Sequence, residues 1–310
     1  MSHVDVMVVC YNYGRFLRAC VESVLAQSHT NFRVVIVDDA STDDTPAVCA
    51  ELMSEDRRVE VVRHATNRGH IRTYNECIDL AHDDYMLLLS ADDYLLPGAL
   101  ARAVALLDAA PHVGLVHGAW FWCREDGTVT DPNVSAPSTE IVDRAWLIER
   151  LAIDNYIHTA TAIVRTSVQK ALGGYRLDLP HTGDLDMWLR FALHGNVAYV
   201  AERQAAYRRH DRNMSLNYQI CADLQQCVRA FQYHYQDIRR RMPNGLLLEA
   251  RVRRLVARRM REAAHELRRD GKVRPSLVMR GRSMQQKLHS RILTIRAGFD
   301  VKATAPAKTQ

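Results

Sequence analysis

The sequence has no apolar run near the roughly 20 residues needed to cross a bilayer. Its hydrophobic stretches, such as Met86 to Leu89, end within a few residues. It has no Cys-x-x-Cys pair, and its seven cysteines (Cys10, Cys20, Cys49, Cys77, Cys123, Cys221, Cys227) are odd in number. That argues against a disulfide frame or a thiolate zinc site and for reduced thiols in a cytoplasmic protein. No basic segment precedes the first apolar stretch, residues 4–10, so it reads as a buried strand and not as a secretory signal. Internal repeats are absent, and the only low-complexity segment is the polar tail after Val301.

What is present is ordinary globular material, 47% hydrophobic and 25% charged in 310 residues. The net charge of +5 conceals an asymmetry. Residues 239–296 hold 18 Lys or Arg against 4 Asp or Glu, whereas residues 1–238 hold 21 against 31. An acidic body, residues 1–215, is therefore followed by a basic helical extension, 216–300, and a disordered tail, 301–310.

Within the body, short β-prone runs alternate with helical periodicity. Strands are expected at 5–10, 32–37, 59–63 and 85–89, with another beginning at 113–116. Helices are expected at 16–27, 43–54 and 71–81, and from Pro97-Gly98 to about 109. Loops are marked by Asp126-Gly127, Pro132 and Pro137. Further on, 160–164 and 197–201 read as strands and 184–193 as a helix. From 216 onward the pattern is helical, broken near Pro243-Asn244-Gly245 and at Pro275. Such alternation predicts an α/β fold, a mostly parallel Rossmann-like sheet flanked by helices, with a C-terminal helical extension. Ligands of such sheets bind at the carboxyl ends of the strands. Tyr11-Asn12, Asp38-Asp39 and Asp92-Asp93 each stand at such an end.

Ser90-Ala91-Asp92-Asp93 is the most informative segment. Adjacent aspartates after a buried strand must be solvated or neutralised, because burying an unpaired carboxylate costs several kcal/mol. A hard divalent cation sharing its shell with substrate phosphates suits them; capping of the helix near Pro97 is the plainer alternative. Asp38-Asp39 repeats the pattern, and one of its carboxylates can accept from a nucleobase N–H. Gly183-Asp184-Leu185-Asp186 puts carboxylates at a helix start, where the dipole favours ionisation and a general base can act. The competing reading there is capping by Asp184, with Asp186 on the exposed face. His210, a lone histidine among charges, matters only as a further ligand to a cation held by Asp93.

Together these segments resemble the family 2 glycosyltransferases, an inverting group with the A-type nucleotide-sugar fold. The matching pieces are Val8-Val9-Cys10-Tyr11-Asn12, Leu25-Ala26-Gln27-Ser28, Val35 to Asp43, Asn67-Arg68-Gly69, Ser90 to Asp93, Gly183 to Arg190, and Tyr207-Arg208 with His210. They run in order over about residues 4–215 and leave the last third uncovered. The resemblance implies a metal-dependent enzyme moving a sugar from a nucleotide-diphosphate donor, UDP by preference, to an acceptor hydroxyl in cell-envelope or exopolysaccharide synthesis. It implies that Tyr11 and Asp39 flank the base with help from Arg68, and that Asp92 sits near the ribose and sugar. Asp93 and His210 would hold Mg²⁺ or Mn²⁺, and Asp184 would be the base, with Asp186 its rival. Ser90 and Gly183 depart from the acidic residues usual at their positions.

A nucleotidyltransferase would carry a Gly-rich, basic loop after the first strand, and Cys10-Tyr11-Asn12-Tyr13-Gly14 is not one. A degenerate binding module is opposed by the retained Asp93, Asp184 and His210. The amphipathic stretch 250–269 has two readings. It packs its apolar stripe on the catalytic body, or it holds the enzyme at the inner face of an anionic membrane beside a glycan or lipid-linked acceptor. Residues 239–296 contain no Trp, Tyr or Phe, which sets nucleic acid aside as a partner.

Overall fold

The structure, a computed structural model, describes residues 2–132, 138–217 and 220–303. The loop position Pro137 and the tail 304–310 lie outside the described residues. In chain order the elements are β1 (Val4–Cys10), α1 (Gly14–Leu25), β2 (Phe32–Asp38), α2 (Thr45–Glu55), β3 (Val59–Arg63), α3 (His70–Leu80), β4 (Tyr85–Ser90) and β5 (Tyr94–Leu95). There follow α4 (Ala99–Ala109), β6 (Val113–Arg124), β7 (Val129–Pro132), β8 (Glu140–Val142), α5 (Arg144–Ile153), β9 (Ile163–Arg165), α6 (Thr166–Leu172), α7 (Gly183–His194) and β10 (Asn196–Arg209). Three long helices complete the described chain: α8 (Ile220–Arg241), α9 (Gly245–Arg269) and α10 (Val273–Ala303). Two compact units result, Met1–Asp143 with Ile157–Leu216, and Arg144–Tyr156 with Asn217–Gln310.

The first unit is an α/β sheet in the order β3-β2-β1-β4-β9-β6-β10-β5, with β7 beside β6 and β8 beside β10. From β3 to β4 every pairing is parallel. β1 is central, and Val4, Val6, Met7, Val8 and Cys10 are all inaccessible to solvent. Its near-continuous apolar run reflects burial on both faces. The chain winds outward from β1 through β2 to β3, then returns to pair β4 on the other side of β1. The crevice at the carboxyl ends of β1 and β4 is thus the reversal point where such sheets bind ligands. β9 enters antiparallel between β4 and β6. Gly14 opens α1 against the start of α2, where a Cβ would lie 2.0 Å from Asp44 Oδ1 and 2.7 Å from Thr45 N.

Three expected boundaries shift. The strand expected from 113–116 continues to Arg124, and that expected at 197–201 spans Asn196–Arg209, because the two pair in parallel along most of their length. Pro275 does not break a helix; it lies in the first turn of α10, where its missing N–H has no partner to lose. The chain turns instead at Gly271, whose φ is 76°.

The second unit is helical. The apolar stripe of α9, including Val252, Val256, Met260, Ala264 and Leu267, is buried. α9 packs on α10, α8 and α5 within this unit. Glu249, fully buried, receives Arg239 and Arg253, the latter at 2.8 Å. Ser276, Ser283 and Ser290 of α10 donate their hydroxyls to the carbonyls of Ala264, Ala257 and Ala250 at 2.7, 2.8 and 2.7 Å. Among the described residues no helix is long and apolar enough to cross a membrane.

Candidate functional site

The site begins where β1 and β2 end. Asn12 and Ala40 follow these strands with φ of 57° and 64°. Asn12 tolerates this region; Ala40 is held there at a cost of about 1–2 kcal/mol. The surroundings enforce both turns. Asn12 N–H donates to Ser41 Oγ at 2.8 Å, Thr42 N–H to Asn12 Oδ1 at 2.8 Å, and Ser41 N–H to Asp38 Oδ1 at 2.9 Å. Asp38 is therefore structural and fully buried, whereas Tyr11 stands 46% exposed at the sheet edge.

Asp39 is held rigidly. Oδ1 accepts from Arg68 N–H at 2.8 Å and lies 2.7 Å from His64 Nδ1, and Oδ2 accepts from Gly69 N–H at 2.9 Å. Burial pushes this carboxyl up, but the bonds from Arg68, His64 and Gly69 outweigh it and hold the group below its ordinary value. Asp39 is thus an ionised acceptor presented at the start of α3. Arg68 reaches it through its backbone, while its guanidinium pairs with Glu76 Oε2 at 2.9 Å. His64 Nε2 is 2.8 Å from the same Glu76 oxygen.

At the end of β4, Asp92 and Asp93 are 6% and 2% exposed. Asp93 Oδ1 accepts from Arg208 N–H at 3.0 Å, and its Oδ2 faces His158 Nε2 at 3.8 Å. Asp92 Oδ2 is contacted by His210 Nε2 at 3.1 Å and Asn213 Nδ2 at 3.2 Å. His210 Nδ1 accepts from Arg212 N–H at 3.2 Å, so Nε2 carries the proton it donates to Asp92. The Arg208 guanidinium is spent on the carbonyls of Asp92 and Glu125, at 2.9 and 2.7 Å. Burial, and then the neighbouring charge of Asp92, push the Asp93 carboxyl well above its ordinary value. Burial drives His158 down to about 4, leaving it neutral beside that carboxylate.

Two adjacent buried carboxylates, each faced by one imidazole, are electrostatically suited to a cation. Among the described residues no group of three or more His, Cys, Asp or Glu side chains is arranged to hold a metal ion.

Tyr74, one turn into α3, links the carboxylates. Burial raises its phenol, and the charges of Asp184, Asp92 and Asp93 add to the rise, against a hydrogen bond with Ser90. Asp184, Asp92 and Asp93 thus all lie near enough to Tyr74 to act on its phenol. Asp184 is half-buried at the start of α7, with Oδ1 accepting from Leu185 N–H at 2.8 Å. Asp186 is fully buried and paired with Arg190, whose Nη1 donates to the Leu172 and Gly174 carbonyls at 3.0 and 2.8 Å. The expectation of an exposed Asp186 is thus corrected: it faces inward because Arg190, one turn on, needs a counter-charge. That arrangement removes it as a rival base.

Several residues here were not singled out from the sequence: His64, Tyr74, His158 and Asn213. The acidic residues they serve are distant in the chain, so no local spacing marks them. A further group is aromatic. Trp120 and Trp122 of β6 and Tyr207 of β10 are partly exposed and pack edge to face, with ring centroids 5.0 Å apart for the tryptophans and 4.7 Å for Trp122–Tyr207. His158 touches both Trp120 and Tyr207, at 5.1 and 4.7 Å, and so joins this wall to Asp93. The alternation Trp120-Phe121-Trp122-Cys123 was a legible signal of a strand with one aromatic, part-exposed face.

Comparison with known proteins bears on this geometry. The chain is 26% identical over 288 residues to the Bacillus subtilis protein EpsE, named as a glycosyltransferase, covering 85% of this chain and 98% of that one. It is 29% identical over 222 residues to the uncharacterized protein MT1568 of Mycobacterium tuberculosis, covering 67% of each. Among solved structures, residues 1–349 of Staphylococcus aureus TarS in complex with UDP-GlcNAc superpose with a TM-score of 0.66 at 16% identity, over 92% of this chain and 89% of that one. This likeness supports the A-type fold. The sequence profile described as glycosyl transferase family 2 matches residues 5–166. With more than half of its length under that profile and its acidic residues gathered at the sheet reversal, this chain belongs to glycosyl transferase family 2.

Proposed function

We propose that the chain transfers a sugar from a UDP-sugar to the hydroxyl of a saccharide acceptor, with inversion at the anomeric carbon. The observation that carries this reading is the placement of Asp39, Asp92 and Asp93 just past the carboxyl ends of β2 and β4, on either side of the central β1, with Asp39 fixed by the backbone that enters α3. The TarS structures with UDP-GlcNAc and with UDP favour a uridine donor.

In this reading Tyr11 stacks on the base and Asp39, ionised and fixed, accepts from its N–H. Arg68 and Gly69 act by orienting Asp39. Asp92 borders the ribose and sugar. Asp93 and His210 would hold Mg²⁺ or Mn²⁺. Such a cation, when bound, offsets the charge that develops on the departing diphosphate. Asp184 accepts the proton of the acceptor hydroxyl as that oxygen bonds to the anomeric carbon and the bond from carbon to phosphate oxygen breaks. No covalent nucleophile is needed. The Trp120–Trp122–Tyr207 wall, joined to Asp93 through His158, supports a sugar as acceptor, since aromatic faces match the C–H face of a pyranose.

A thermal-shift screen of nucleotide sugars, with and without Mn²⁺, tests the donor assignment by linkage. Selective stabilisation by UDP-sugars that is lost on chelation is expected. Equal response to all nucleotides, or none, would remove the uridine and cation assignments.

A further inference from the structure

We propose that the outward face of α10 seats on an anionic phospholipid bilayer. The helix carries apolar residues on two opposite sides. On one, Met279, Leu293 and Ala297 are buried beside the Ser276, Ser283 and Ser290 contacts with α9. On the other, Leu277, Met284, Leu288, Ile292 and Ile295 are 60, 69, 59, 46 and 60% exposed. At 100° per residue these five fall within an arc of about 80°, a continuous stripe along some five turns. Aliphatic side chains so arranged are rarely left to water without a partner.

Charge decides the occupant. From Val273 to Phe299 the sequence contains Arg274, Arg280, Arg282, Lys287, Arg291 and Arg296, and no Asp or Glu. Arg280, Lys287 and Arg291 flank the stripe on one side, Arg282 and Arg296 on the other. An apolar stripe with cationic borders matches the acyl-chain boundary beneath anionic headgroups. A second copy would bring these cations against each other with Asp300 as the one acid of α10 to offset them. Nucleic acid would use the cations and leave the aliphatic stripe unsatisfied. The sequence offered 250–269 as an interfacial helix in one of its two readings, but its stripe is consumed inside the bundle, and α10 presents the free one. This inference does not rest on the transferase reading.

The test uses the full chain in flotation with phosphatidylglycerol vesicles and with phosphatidylcholine vesicles at low salt. Binding to the first and at least about tenfold less to the second is expected, with a further loss of about tenfold in the double variant Leu288→Glu/Ile295→Glu. Arg282→Gln/Arg296→Gln should weaken binding and reduce its salt dependence. An unchanged melting temperature shows that the variants remain folded. Three results would overturn the inference: no binding to phosphatidylglycerol at low salt; binding indifferent to the two glutamates, as a polyanion such as duplex DNA would also give; or a dimer in light scattering that Leu288→Glu dissociates without any vesicle binding. UDP-sugar turnover with a water-soluble acceptor is measured on the same samples. Turnover lost in the wild type while vesicles still bind defeats the transferase reading alone; turnover kept without vesicle binding defeats only this one.

Discussion

Replacing Asp186 by alanine leaves the Arg190 guanidinium, 9% exposed, without its counter-charge in the core beside α7. Removing one partner of a buried ion pair costs about 3–5 kcal/mol. Arg176 adds little, since its Nε is 3.5 Å from Asp186 Oδ1 and its side chain is 41% exposed and screened by solvent. For a unit of this size each kcal/mol moves the melting temperature by about 2–4 °C, so a fall of about 6–20 °C is expected. Two residues earlier, Asp184→Asn keeps a carbonyl oxygen for Leu185 N–H and should leave melting within a few degrees. Its turnover should fall by about 10²–10⁴, the usual contribution of a general base. Calorimetric or fluorescence melting together with kcat on a UDP-sugar reads both variants, with Asp186→Ala assayed well below its melting point. An Asp186→Ala protein that melts with the wild type would refute the account of the buried pair. Full turnover in Asp184→Asn would refute the base assignment.

Asp39→Asn should place an amide donor against Gly69 N–H and weaken UDP binding by about 1.5–3 kcal/mol, the worth of a hydrogen bond to a charged group, read as Kd by titration calorimetry. Asp93→Asn should raise the melting temperature at neutral pH while abolishing turnover, because it removes a carboxylate whose ionisation burial opposes; a lower melting temperature would contradict this. The pH dependence of stability separates the two aspartates. Asp39, held below its unfolded value, contributes stability that is full above about pH 4 and lost as pH falls through the folded value. Asp93, held above it, binds its proton more tightly folded than unfolded, so its effect on stability declines as pH rises above about 4. The acid limb of a pH–melting curve should therefore steepen in Asp93→Asn and flatten in Asp39→Asn. Chelation with EDTA should reduce turnover at least tenfold if Asp93 and His210 hold the cation, with recovery on added Mn²⁺.

Strand ends were readable because a buried run has to stop where polar side chains begin, as at Cys10-Tyr11, Asp38-Asp39 and Ser90. The order of strands was not, because periodicity reports which side of a strand is buried and not which neighbour buries it. β9 entering antiparallel beside β4 has no local signature. β10 passes through Glu202, Arg203 and Gln204, a polar stretch that ends a strand by local rules; the strand crosses it as a bulge in which only Arg203 of the three stays paired with β6, and regular pairing resumes at Ala205. In the site, acidic pairs at strand ends announced themselves, but the side chains that orient them did not. His64 meets Asp39 from 25 residues away and Asn213 meets Asp92 from 121. Asp186 misled for a related reason: its partner Arg190 is close in sequence, yet only the surroundings of α7 turn that pair inward.

The serine hydroxyls of α10 recur every seventh residue, and the alanine carbonyls they meet recur every seventh in the opposite direction. Because the two spacings are equal, all three contacts form together in one register. Sliding the hairpin by one residue would turn α10 by about 100° about its axis and misalign all three contacts together. A sequence otherwise crowded with interchangeable arginines thereby acquires one defined rotational setting, and the side of α10 turned away from α9 is set to the same angle in every copy of the protein.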